Sequence, residues 1–91
     1  MNTKSYKIFH IDNGPTFESL ADIRNEIKKG TQPNVTFDLN DDNVTINAYI
    51  TNMRLDEIST VIDGFVTNGE YKGQSFRVFY NTKTRTGTLS I

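Results

Sequence analysis

Leu55–Thr67, with the sequence LDEISTVIDGFVT, decides the fold of this chain because two readings of it lead to different architectures. Read as a helix, its apolar residues from Leu55 to Val66 share one face at a spacing of 3.6 residues, and Asn68-Gly69 supplies a stop. Read as a strand, it is favoured by its many β-branched residues, whereas Asp63-Gly64 in mid-helix would cost on the order of 1 kcal/mol. We predict a strand and keep the helix as the alternative.

Patterns typical of strands lie on both sides of this segment. Residues 35–39 and 44–51 alternate apolar and polar side chains, and Asn40–Asn43 between them is typical of a hairpin turn. In Gln74–Tyr80, the apolar residues Phe76, Val78 and Tyr80 share one face. The predicted strands are residues 5–11, 35–39, 44–51, 55–67, 74–80 and 88–91.

A helix is predicted between the first two strands. Thr16 or Ser19 can cap its amino end, and Gly30 suits the position just after its carboxyl end. Its apolar residues fall within one arc of the helix surface, and they are Phe17, Leu20, Ala21, Ile23 and Ile27. The predicted class is α+β, with one amphipathic helix packed on a five- to six-stranded antiparallel sheet in the order β-α-β-β-β-β-β. The alternative is a two-helix split β-α-β arrangement of the ferredoxin-like sort.

Length and composition bound the classes of function. Ninety-one residues predict a single domain, 1–91. The absence of cysteine excludes a disulfide framework, a thiolate nucleophile and cysteine-based zinc sites. Because the sequence has neither a signal peptide nor eighteen consecutive apolar residues, we predict a cytoplasmic protein without membrane contact. The net charge of −1 is unevenly spread: residues 36–70 hold seven acids against one base, and residues 71–91 hold four bases and no acid.

Candidate catalytic and metal-binding residues are few. His10 is the only histidine, so the sequence cannot form a serine-type triad or a multi-histidine metal site. The acidic run that starts at Asp38 resembles the opening of a calcium loop, but Asn43 replaces the sixth-place glycine and Tyr49 the bidentate glutamate. The glycines form no nucleotide-binding fingerprint. We predict no enzymatic activity, no cofactor and no metal site.

One stretch near the carboxyl end resembles the first ribonucleoprotein motif of RNA-recognition domains. Lys72–Phe79 reads KGQSFRVF, and its matching positions are Lys72, Gly73, Phe76 and Phe79. It departs from that motif at Gln74, Ser75 and Arg77, and only twelve residues follow it, too few for the remaining helix and strand of such a domain. What the resemblance implies is a surface on this strand that binds nucleic acid.

The alternation along 74–80 predicts a binding surface without reference to any family. If Phe76 faces the core, Arg77 and Phe79 lie on the open face of the sheet. A cationic surface with an exposed aromatic can anchor in a protein groove or stack bases, and the acidic turn could meet a basic partner. The predicted partner-binding residues are Lys72, Arg77, Phe79, Lys83, Arg85, Asp41 and Asp42.

These features together predict a non-enzymatic protein-protein interaction module. Its Asn- and Thr-rich, cysteine-free composition is similar to that of many small bacteriophage or mobile-element proteins, so we expect an inhibitor of a host or defence factor. The alternative is a small nucleic-acid-binding domain that uses the basic aromatic hairpin. An exposed sheet face or edge would also allow a homodimer.

Overall fold

The structure, a computed structural model, describes residues 7–39 and 44–91. In these residues it contains one helix and a sheet of six antiparallel strands. The elements in chain order are β1 Ile8–Ile11, α1 Phe17–Lys28, β2 Asn34–Leu39, β3 Val44–Leu55, β4 Ser59–Val66, β5 Ser75–Asn81 and β6 Thr86–Ser90. The prediction of an α+β class with a helix on an antiparallel sheet is confirmed.

The segment that decides the fold is extended. β3 continues through Leu55, a turn at residues 56–58 reverses the chain, and β4 begins at Ser59. The backbone N–H of Asp56 donates to the Ser59 carbonyl at 3.0 Å and closes this turn. Leu55 therefore belongs to β3, not to the strand predicted over 55–67, because β3 remains paired with β4 as far as Leu55 opposite Thr60. In the described residues there is no second helix to support the ferredoxin-like alternative.

The helix begins and ends for local reasons. The Thr16 hydroxyl accepts a hydrogen bond from the backbone N–H of Ser19 at 3.2 Å, so Thr16 is the N-cap. Glu18 in the first turn and Lys28 in the last turn complement the helix dipole. Gly30 has a φ of +89°, the left-handed conformation that commonly ends a helix and that costs glycine little.

The strands lie side by side in the order β1-β6-β5-β4-β3-β2. From β2 to β6 the chain forms a meander, and β1 is added beside β6 at its far end. The two outermost strands, β1 and β2, come into contact with each other, so the sheet is curled. We call its concave side the inner face and its convex side the outer face.

A bulge and a glycine bend the sheet at one place. The register between β3 and β4 passes from Ile50 opposite Gly64 to Asn52 opposite Asp63, which leaves Thr51 as an extra residue. A Cβ at position 64 would overlap the carbonyl oxygen of Tyr49 and press on the Phe76 ring. Bulges paired with glycines are a common means of curving a sheet, and this pair curves β3 and β4 around the core.

The core fills the inner face. Leu20 of α1 is 1% exposed and packs among the inner-face side chains, with Ile23 and Ile27 partly buried beside it. Phe17, predicted to belong to the buried stripe, is instead 38% exposed because it lies in the first turn of the helix. The buried apolar residues from the strands are Phe9, Ile11, Phe37, Leu39, Ile46, Ala48, Ile50, Ile62, Val66, Phe76, Val78, Tyr80 and Leu89.

The remaining strand boundaries differ slightly from those predicted. β1 starts at Ile8, whereas the prediction began at Ser5, which lies outside the described residues. β6 covers Thr86–Ser90 and thus starts two residues earlier than predicted, because Thr86 still pairs with Asn81. No helix in residues 7–39 or 44–91 has the length and apolar character needed to cross a membrane.

Candidate functional site

The outer face of the sheet carries the side chains that alternate with the core. Cross-strand partners share a face, so the pairing register shows which of these side chains are neighbours. Thr88 of β6 lies opposite Phe79 of β5, and Phe79 lies opposite Val61 of β4. Two residues earlier in β5, Arg77 lies opposite Asp63 of β4. We call the surface formed by Ile8, Val61, Asp63, Arg77, Phe79 and Thr88 the outer patch.

Phe79 is the most exposed aromatic residue of the outer patch. Its side chain is 53% exposed although it sits in the middle of β5, while its neighbours Val78 and Tyr80 are buried. Ile8 on β1 is 57% exposed, and Val61 on β4 is half-buried. No described element covers this apolar surface, because α1 packs on the opposite side of the sheet. Such a surface is suited to burial against a partner.

Arg77 and Asp63 form a fork-shaped ion pair inside the outer patch. The Arg77 Nε donates to Asp63 Oδ1 at 2.7 Å, and Nη2 lies 3.4 Å from Oδ2. The hydrogen bond to the Asp63 carboxylate, followed by the charge of that group, raises the pKa of the Arg77 guanidinium above its ordinary value. The pair contributes no net charge to the patch, and it fixes the direction of the Arg77 side chain.

An open depression of about 410 Å³ adjoins this ion pair. Short side chains and a glycine leave room there, and the bulged Thr51 donates its hydroxyl to the Asp63 carbonyl at 3.2 Å. The lining residues are Thr51, Asp63, Gly64, Ser75, Phe76, Arg77, Ser90 and Ile91. Its walls therefore combine polar side chains with the apolar Phe76 and Ile91.

The predicted basic residues lie within β5 and in the turns at its two ends. Lys72 lies in the turn before β5, whereas Lys83 and Arg85 lie in the turn after it, so the whole length of β5 separates them. Only Arg77 and Phe79 are brought together, as predicted, on the outer face of β5.

Arg85 has a structural role. Its Nε donates to the Gly14 carbonyl at 2.6 Å and its Nη2 to the Asn13 carbonyl at 3.3 Å. The backbone of the same residues is also joined, since the Gly14 N–H donates to the Arg85 carbonyl at 3.0 Å. The Arg85 guanidinium therefore fastens the loop between β1 and α1 to the turn between β5 and β6.

The acidic candidates give no binding geometry in the structure. Asp41 and Asp42, predicted to contact a basic partner, lie outside the described residues, as does the hairpin turn that contains them. Asp38 accepts a hydrogen bond from the Thr45 hydroxyl across β2 and β3 at 3.2 Å. Within residues 7–39 and 44–91, no three histidine, aspartate or glutamate side chains are grouped so that they could hold a metal ion.

Sequence reasoning did not place Asp63, Val61, Ile8 or Thr51 at the candidate site. Alternation along a strand assigns each residue to a face, but it leaves open which residue of the neighbouring strand lies opposite. Once residues 59–66 are read as a strand, the spacing of Val61 and Asp63 puts both on the outer face. Thr51 could not be found this way, because the bulge interrupts the alternation of β3.

Comparisons with protein-family models, with curated proteins and with solved structures find no match for this chain.

Proposed function

We propose that this chain is a non-enzymatic protein-binding module whose outer patch contacts the partner. The observation that supports this most directly is the exposure of Phe79 in the middle of a strand, on a sheet face that no described element covers. Aromatic residues, phenylalanine among them, and arginine are enriched at protein interfaces relative to the rest of the surface. Phe79 and Arg77 combine both types two residues apart on one rigid strand.

The ion pair supports a protein partner over a nucleic acid. The charge of Arg77 is balanced by Asp63, and the Arg85 guanidinium is engaged by the carbonyl groups of Asn13 and Gly14. A strand of phosphates would have to compete with Asp63 for Arg77, whereas a protein surface can bury Phe79 and leave the pair intact. Occlusion of a partner's surface requires no chemistry from this chain, so inhibition by blocking is the activity we infer.

A matched pair of phenylalanine substitutions tests the proposal. Phe79→Ala removes the anchor of the outer patch, and Phe17→Ala removes a partly exposed ring from α1 on the other side of the sheet. Affinity capture from the host of origin, with quantitative mass spectrometry, should identify a protein that is retained by wild type and by Phe17→Ala and lost by Phe79→Ala. With the purified partner, Phe79→Ala should raise the dissociation constant by about thirtyfold, as expected for a hot-spot residue.

Two results would contradict the proposal. One is a partner that binds Phe79→Ala as tightly as wild type. The other is a mobility shift with RNA or DNA that weakens steeply as salt rises, because that behaviour is typical of electrostatic binding to phosphates. Sedimentation equilibrium of the free protein reports whether the captured partner is a second copy of the chain; in that case Phe79→Ala should yield a monomer.

A further inference from the structure

A second cavity lies on the inner side of the molecule, between α1 and the sheet. Its volume is about 290 Å³. Leu20 and Ile23 of the helix form one wall, and Ile50, Met53 and Ile62 of β3 and β4 form the other. Pro15 and the β2 residues Val35, Thr36 and Phe37 complete the lining. The cavity is separate from the outer patch, with which it shares no residue.

The β-bulge helps to build this cavity. Ile50 and Met53 are three residues apart and would face opposite sides of a regular strand. The extra residue at Thr51 brings both onto the inner face, where Met53 is half-buried against the core. Helix α1 fills the concave side only in part, since Leu20 is buried but Ile23 is half-buried. The space between them is therefore a consequence of the curvature of the sheet.

The lining determines what the cavity can bind. None of the described residues that line it is charged, and the Thr36 hydroxyl points away from it, to Asn47 at 2.7 Å on the outer face. Ions and strongly polar molecules would lose their hydration without gaining a partner there. Apolar protein cavities of about 150 Å³ stay dry and take up benzene. A volume near 290 Å³ thus has room for a molecule on the order of ten non-hydrogen atoms.

We propose that this inner cavity is a binding site for a small, neutral, apolar molecule of about that size. The ligand gains hydrophobic burial between the two walls and makes van der Waals contacts with their side chains. Since it joins α1 to β2, β3 and β4, bound ligand should also stabilise the folded chain. This proposal is independent of the protein-binding role of the outer patch.

Naphthalene, an uncharged molecule of ten carbon atoms, is a suitable probe. Added to wild-type protein with ¹³C-labelled methyl groups, it should shift the NMR signals of Leu20, Ile23, Val35, Ile50 and Ile62 in a saturable manner. Naphthalene-2-sulfonate, which carries a negative charge on the same rings, should leave these signals unchanged. The proposal is overturned if naphthalene gives no saturable shifts up to its solubility limit, or if its shifts fall on Ile8 and Val61.

A matched pair of valine substitutions tests the location without relying on the spectra alone. Val35→Phe places a ring in the cavity, whereas Val61→Phe makes the same chemical change on the outer face. Val35→Phe should weaken naphthalene binding by at least about tenfold with an unchanged circular dichroism spectrum, and Val61→Phe should bind it like wild type. If Val35→Phe does not fold, Ile23→Phe fills the cavity from the helix side and should give the same loss. The proposal is overturned if Val35→Phe or Ile23→Phe is folded and still binds naphthalene as tightly as wild type does.

The outcomes for the two sites can be distinguished. Phe79→Ala should retain naphthalene binding, and the folded Val35→Phe variant should retain the protein partner. Loss of the partner in Phe79→Ala therefore says nothing against the cavity, and absence of naphthalene binding says nothing against the outer patch.

Discussion

Similar side chains on the two faces of β5 have different roles. Phe76 and Phe79 are three residues apart on one strand, yet Phe76 is 4% exposed and packs edge-on against Phe37, whereas Phe79 faces solvent. On the inner face, an aromatic ring stabilises the fold because folding buries it away from water. On the outer face, the same ring contributes little to folding and remains available for a partner. The role of a residue in β5 depends on which face of the sheet its side chain occupies, because side chains alternate between the faces and α1 covers only the inner one.

The largest expected effect separates these two phenylalanines. Phe76→Ala should lower the free energy of unfolding by about 3–5 kcal/mol, because it removes a buried ring and leaves a cavity against Phe37. Phe79→Ala should change it by about 0.5 kcal/mol or less, as is usual for exposed positions. Urea denaturation followed by circular dichroism measures both. If the two variants lost similar stability, Phe79 would belong to the core and the outer patch would lose its anchor.

The inner face also contains a hydroxyl group whose pKa is shifted. The Tyr80 phenol donates to the Pro15 carbonyl at 2.7 Å, and burial raises the pKa of Tyr80 above its ordinary value of 10.0, partly offset by the positive charge of Arg85. Tyr80→Phe should cost about 1 kcal/mol at neutral pH, because the hydrogen bond is lost while the ring stays packed. This change is smaller than that expected for Phe76→Ala.

The pKa shift of Tyr80 also predicts a dependence on pH. A raised pKa means that the folded chain holds this proton more tightly than the unfolded chain does. The contribution of Tyr80 to stability is therefore fully present below about pH 10 and is lost as the pH rises through the folded-state pKa. The stability difference between wild type and Tyr80→Phe, from urea denaturation at each pH, should shrink above that point. A constant difference would show that Tyr80 titrates alike in the folded and unfolded chain.

Much of the fold could be predicted because its signals are local. The Thr16 cap, the Gly30 stop and the alternation of β2, β3 and β5 each depend on a few adjacent residues, and the structure has each of them. The choice of a strand at Leu55–Thr67 likewise followed from β-branched residues and Asp63-Gly64. The curl of the sheet could not be predicted, since it depends on how the bulge of β3 meets Gly64 of β4.

The candidate site was less predictable than the fold. Arg77 and Phe79 were placed correctly on the open face because alternation is a property of one strand. Lys72 precedes β5, whereas Lys83 and Arg85 follow it, and whether these basic residues contact a partner stays a prediction. Asp63 was not among the predicted site residues, because its pairing with Arg77 depends on the register between β4 and β5.

An effect no larger than that of Tyr80→Phe separates the two basic residues of the turn between β5 and β6. Arg85→Ala removes the hydrogen bonds to the Gly14 and Asn13 carbonyls and should cost about 1 kcal/mol, whereas Lys83→Ala should leave the urea midpoint unchanged. Arg85 has a φ of +59°, which alanine tolerates no better, so Arg85→Ala isolates the side chain. Glycine accepts this conformation, and Arg85→Gly should therefore be about 1 kcal/mol more stable than Arg85→Ala. If Arg85→Ala and Lys83→Ala were equally stable, the guanidinium would not fasten the loop, and Arg85 would again be a candidate for contact with a partner.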